Sequence, residues 1–333
     1  MRIVAVLILA LTFGSAQAAP NTEGLPGGAV ALVGFDITAF RATKVGQAVE
    51  KLASFKAKNL EASRKLNDRL GIDSSKDLHE LIVAIYPGPD GKVSEKKASG
   101  IVLIRGKFDP ARLTAFAQQN NLPAKTVGKH QAWEAGPFLE KVSGEKRQDK
   151  TQEAYLVAHS PELIVIAGAD FLERALEAAD RREKAVLLPP SAATKFAAVQ
   201  QGWIFLYADA TVMKNPDQKI GLGNVTLALG ENATDLQLAV AANFVSAEKA
   251  STMRKQLQGF QALSMMGLSN DDGKSPEEKE EMGTLVELVQ KIRIGGEGKQ
   301  ATLDLDYPAD KLAQAIGRVV DKAKKSAASP AAK

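Results

Sequence analysis

There is no cysteine anywhere in the 333 residues. Disulfide staples, thiolate metal sites and cysteine nucleophiles are therefore excluded, and so is lipid attachment at a signal-sequence cysteine. Aromatic residues make up only 5% of the chain, too few for the stacking platforms of a single-strand nucleic-acid binder. Neither sign of charge prevails, since 43 Lys and Arg against 39 Asp and Glu leave a formal charge of +4. The two signs are interleaved, without the concentrated basic stripe that nucleic acid requires, so no nucleic-acid partner is expected. The apolar run at residues 3–13 falls short of the roughly 20 residues that span a bilayer core, and no later run is long enough.

That first run has a different use. Met1 and Arg2 give a short positive start, residues 3–13 an apolar stretch, and Ala16-Gln17-Ala18 the small-x-small pattern that a signal peptidase reads. Residues 1–18 are expected to be a signal peptide, with the mature chain starting at Ala19. The expected address is periplasmic or extracellular, with no transmembrane segment once the signal is cut. A chain of this length buries enough core to do without disulfides. At the other end, residues 323–333 are basic and poor in apolar groups, and a disordered tail is expected there.

What the sequence does contain is a repeated local grammar. Residues 81–119, 154–180, 222–259 and 289–320 each read as strand, turn, strand and helix. The turns are explicit at Pro87-Gly88-Pro89-Asp90-Gly91 and Gly295-Gly296-Glu297-Gly298. Helix starts are explicit as well. Asp109-Pro110 joins a cap to an N1 proline, and Ser275-Pro276-Glu277-Glu278 does the same with a capping-box glutamate. Residues 41–70 read as helical and residues 76–81 as a short helix. Leu188-Pro189-Pro190-Ser191 breaks the chain, and strands at 30–35 and 202–208 open the segments on either side. The expected fold is α+β with two related halves, 19–188 and 189–322. Each half is built of antiparallel β-hairpins followed by helices packed on one face of the sheet.

Motifs that carry chemistry are thin. His79, His130 and His159 are too far apart in sequence to share a local motif. His79 is expected on a helix, His130 on a strand beside Trp133, and His159 at a turn tip. Ser-x-x-Lys occurs at Ser94/Lys97, Ser143/Lys146 and Ser246/Lys249 without the companion motifs of serine acyl-transfer enzymes. Only Ser246 opens a helix, where N-capping accounts for it. Asn270-Asp271-Asp272-Gly273 fails the calcium-loop pattern, because Leu268 and Lys279 stand where ligands belong. The glycine-rich segments lead into strands and so lack the helix N-terminus that cradles phosphate. No cofactor and no metal are expected.

Asp36 and Asp209 recur at the ends of the two opening strands, each after an aromatic residue and before a threonine. Each suits an N-cap. If the halves face one another, the two carboxylates also converge as a catalytic pair. The sequence therefore points to an exported, non-enzymatic binding or envelope-associated scaffold protein. Its partner would be a protein or another envelope macromolecule, met through the lysine-studded residues 51–65 or the acidic residues 271–281. The alternative is a periplasmic hydrolase using the carboxylate pair Asp36 and Asp209.

Overall fold

The computed structural model describes residues 20–54, 57–93, 99–143, 153–184, 188–212, 220–268 and 276–328. A strap over residues 20–30 leads into β1 (Ala31–Asp36), then α1 (Ile37–Ala42), α2 (Lys44–Ser54) and α3 (Ala57–Leu70). The hairpin β2 (Leu78–Tyr86) and β3 (Ser99–Gly106) precedes α4 (Pro110–Gln119), β4 (Ala124–Val127), β5 (His130–Glu134) and α5 (Ala135–Ser143). After β6 (Ala154–Ser160) and β7 (Leu163–Gly168) come α6 (Leu172–Asp180) and α7 (Pro190–Ala198). The remaining elements are β8 (Gly202–Asp209), β9 (Leu222–Glu231), β10 (Asp235–Phe244), α8 (Ala247–Leu268), α9 (Pro276–Lys291), β11 (Arg293–Gly295), β12 (Gln300–Pro308) and α10 (Ala309–Ala328).

The strands form one sheet of 12, in the order β11-β12-β10-β9-β8-β1-β2-β3-β7-β6-β5-β4. Every neighbouring pair is antiparallel, as hairpin connections require. The fold is thus α+β. The two sets of strands do not form separate sheets, because β1 pairs with β8 from Ala31↔Ala208 to Phe35↔Ile204.

Alternation along the strands gives the sheet two apolar faces. On one face, α4 and α5 lie on Trp133, Leu156 and Ile164, while α1, α2 and α10 lie on Phe35, Leu81 and Leu236. Helix α8 covers Phe244 and Ala301 on that same side. The other face takes the strap and two short helices. Leu172, Ala175, Leu176 and Ala179 of α6 pack on Leu32, Ile82, Leu103 and Val165. Phe196 of α7 packs on Phe205 and Ala228. The expectation of helices on one face thus describes most of them, with α6 and α7 opposite. Gly34 is required here, since a Cβ would come within 2.8 Å of Pro20 in the strap.

Two arrangements tie the β1–β8 seam together. Phe35, Phe40 and Trp203 form an aromatic cluster, with Phe40 and Trp203 centroids 4.7 Å apart at 64°. The N-terminus of α2 is closed from a distance. The buried Glu231 carboxylate, at the end of β9, accepts the Lys44 N–H at 2.7 Å and the Val45 N–H at 3.1 Å. Thr43 Oγ1 takes the Gly46 N–H at 2.8 Å. The orphan donors of the first turn are thereby satisfied.

Three local expectations change. Residues 74–77 form a turn and β2 starts at Leu78, because Glu80, Ile82 and Ala84 alternate with Leu81, Val83 and Ile85 and this period overrides the short helical signal. The helical stretch 41–70 breaks at Thr43; beyond it α2 and α3 are helical over Lys44–Ser54 and Ala57–Leu70, with residues 55–56 outside the described residues. Helix α10 continues to Ala328, past the expected start of the tail at 323, since alanine and lysine there are good helix formers. The signal segment 1–18, the acidic loop 270–273 and residues 94–98 lie outside the described residues.

Candidate functional site

The strap face ends in a polar cavity of about 650 Å³. The inward rows of three adjacent strands run apolar and then finish in charge: Leu32-x-Gly34-x-Asp36 on β1, Ala84-x-Ile82-x-Glu80 on β2, and Ile101-x-Leu103-x-Arg105 on β3. Asp36 and Glu80 are direct cross-strand partners. Arg105 Nε stands 3.1 Å from Glu80 Oε2 as an ion-pair contact, off the line of a hydrogen bond. The strap closes one side, where the Asn21 N–H donates to Glu80 Oε1 at 3.0 Å and the Arg105 guanidinium donates to the Glu23 carbonyl. Further walls come from His79, Lys107, His159, Glu162 and Arg182. Both signs of charge therefore face one volume.

Burial dominates the protonation of the two acids. Desolvation lifts Glu80 from 4.5 to about 7, with Asp36 adding repulsion, against the lowering effect of the Asn21 N–H and Arg105. It lifts Asp36 from 3.8 to about 6, against the Ala39 N–H. Glu80 thus holds its proton more tightly in the folded chain than in the unfolded one. Below pH 4.5 both states are protonated and nothing is lost; as pH rises toward 7 the folded state becomes less stable. The displacement from 4.5 to about 7 corresponds to about 3 kcal/mol at full extent. Thermal unfolding across pH 4–8 is expected to show Glu80→Gln losing less stability than wild type over that window. Parallel profiles would refute the assignment.

Asp36 and Asp209 are not brought together. Asp36 ends β1, whereas the Asp209 N–H bonds the Val30 carbonyl at the opposite end of the antiparallel pair. Six residues at about 3.3 Å each separate them by roughly 20 Å along the strand. Each serves as a cap: Asp36 accepts the Ala39 N–H at 2.7 Å, and Asp209 accepts the Thr211 N–H at 2.9 Å. The acid that Asp36 does face is Glu80, which the helical reading of residues 76–81 concealed. Ser246 is likewise a cap, bonded to the Lys249 N–H at 3.2 Å.

The histidines fare differently from the sequence reading. His79 lies on β2 and its carbonyl accepts from Thr38 Oγ1. His130 and His159 stack with centroids 4.8 Å apart, and both Nε2 atoms meet the carboxylate of Asp180. Burial lowers the proton affinity of His159, outweighing the favourable contact with Asp180. Asp180 is itself held down to about 2: burial works against this, and the donors Lys129, His130 and His159 overcome it. Among the described residues no helix is long and apolar enough to cross a membrane.

No protein-family model and no curated protein matches the chain. Among solved structures, it is similar to TP0453 of Treponema in crystal form III, at 12% identity and a TM-score of 0.44, covering 90% of this chain and 98% of that one. Crystal form I of the same protein gives 14% identity and a TM-score of 0.41, covering 91% and 98%.

Proposed function

We propose that this is an exported, non-enzymatic binding protein of the bacterial envelope, built on a duplicated scaffold, and that the cavity beside Asp36, Glu80 and Arg105 takes a small polar ligand carrying both charge signs. The observation that carries the reading is the cavity itself, whose size falls in the range of small-molecule sites and whose walls oppose acids to bases. Its acids are committed to the fold: Asp36 caps α1, and Glu80 holds the strap and Arg105. That commitment favours binding over turnover. Duplication is supported by the strand order, which runs β1-β2-β3-β7-β6 outward on one side of the seam and β8-β9-β10-β12-β11 on the other. Export rests on the signal pattern of residues 1–18. A macromolecular partner is supported by Phe260, Leu263 and Met266, which stand 72%, 68% and 73% exposed along α8.

A screen of charged and zwitterionic small molecules against the purified mature protein is expected to find zwitterions that raise its melting temperature. The rise should shrink in Lys107→Glu, which alters an exposed part of the wall without touching the strap. Failure of every zwitterion would overturn the ligand assignment. The hydrolase reading survives only with a new pair, Asp36 and Glu80, whose raised proton affinities suit acid–base work. Turnover abolished by Glu80→Gln in a folded protein would establish it instead.

A further inference from the structure

We propose that His130, His159 and Asp180 form a binding site for one divalent transition-metal ion of the zinc class. The site stands independently of the ligand reading above. Its geometry follows from register. Continuing the pairing Trp133↔Leu156 of β5 and β6 by three residues places His130 directly opposite His159, and directly opposed side chains on one face of an antiparallel pair lie close enough to share a ligand. Asp180, the last residue of α6, meets them from above the sheet. Its Oδ1 lies 3.1 Å from His130 Nε2 and 2.9 Å from His159 Nε2. The three ligand atoms all fall within 4.8 Å of one another. A tetrahedral ion with bonds of about 2.0–2.1 Å spaces its ligands roughly 3.3 Å apart, so both carboxylate–imidazole distances fit within a few tenths of an ångström, and the two imidazole nitrogens need to draw together by at most about 1.5 Å.

The donor set is right for the chemistry. Two imidazoles and one carboxylate suit zinc, cobalt, nickel or copper rather than calcium or magnesium, and three protein ligands leave a fourth position for water or an incoming group. The imidazoles are only 11% and 13% exposed while Asp180 is 31% exposed, so their positions are fixed by packing and the approach is over the carboxylate. A carboxylate in the last turn of a helix faces the negative end of the helix dipole and needs positive charge beside it. Lys129 Nζ supplies some at 3.0 Å, and its side chain, 72% exposed, can swing into solvent as an ion binds. His159 also belongs to the cavity wall, so a bound ion would adjoin that volume.

Tag-free mature protein is titrated with Zn²⁺ by calorimetry and with Co²⁺ by visible absorption. The expected result is one ion per chain, with the intense cobalt bands of tetrahedral coordination. Changing even a residue that only hydrogen-bonds to a metal ligand costs about 10–100-fold in affinity, so His159→Gln and Asp180→Asn, which nearly preserve size, are expected to weaken binding at least about 100-fold. Lys129→Ala, which removes the competing cation, is expected to bind as tightly as wild type or more so. Absence of stoichiometric binding, or equal affinity in His130→Gln/His159→Gln, would overturn the assignment. A Zn²⁺-dependent rise in melting temperature in wild type but not in folded Asp180→Asn provides the second readout.

Discussion

Trp203→Ala is expected to lower the unfolding free energy by about 4 kcal/mol, the range for removing a buried aromatic from a packed core. Trp203 is 5% exposed and meets Phe40 at 4.7 Å and Phe35 at 6.1 Å, both edge-on. It sits on β8 at the seam with β1, in one apolar cluster with Phe35, Phe40 and Leu81, so the cavity left behind opens between the two strand sets. Its indole N–H is buried with no hydrogen-bond partner among the described residues. Phenylalanine therefore abandons no hydrogen bond, and Trp203→Phe is expected to cost about 1 kcal/mol. Chemical denaturation of both variants checks this; a loss below 1 kcal/mol for alanine would show that the cluster is not what holds the seam.

Glu231→Ala is expected to cost about 3 kcal/mol. Hydrogen bonds to a charged partner contribute about 1.5–3 kcal/mol, and the two amide donors at Lys44 and Val45 would lose their shared acceptor. The carboxylate also stands at the positive end of the α2 dipole. Glutamine keeps one acceptor oxygen and no charge, so Glu231→Gln is expected to fall between alanine and wild type. Amide exchange locates the effect: Lys44 and Val45 should lose protection in Glu231→Ala while the β2–β3 amides stay slow. Uniform loss across the sheet would mean that Glu231 acts on the whole fold rather than on the helix start.

Local rules were legible where the deciding partner lies a few residues away. Asp109 accepts from Ala111 and Arg112 as the Asp-Pro signature implies, and the expected turn after β2 closes between Gly88 and Lys92. Asp36 and Asp209 cap as their positions suggest. The cavity was not legible, because it depends on which strands become neighbours. Glu80 reaches Asp36 only through the β1–β2 register, and a short run with both helical and alternating character hid it. Arg105 left a trace: it occupies the next inward position after Ile101 and Leu103, where alternation calls for an apolar side chain. His130, His159 and Asp180 left none, since Asp180 is 50 residues from His130 and 21 from His159.

The seam between β1 and β8 has a consequence in time. Strand β1 ends at residue 36 and finds β2 some 40 residues later, but its other edge waits for residues 202–209. At about 5–20 residues per second, a ribosome needs roughly ten to thirty seconds to supply them. Throughout that interval the nascent chain offers an unpaired edge flanked by Leu32 and Phe35, a template for pairing with any other extended chain. Pairing over so large a sequence separation is also slow in refolding, because loop-closure entropy must be overcome before the contacts form. Closure of the seam is thus expected to be a late and slow pairing, with an open strand edge until it forms.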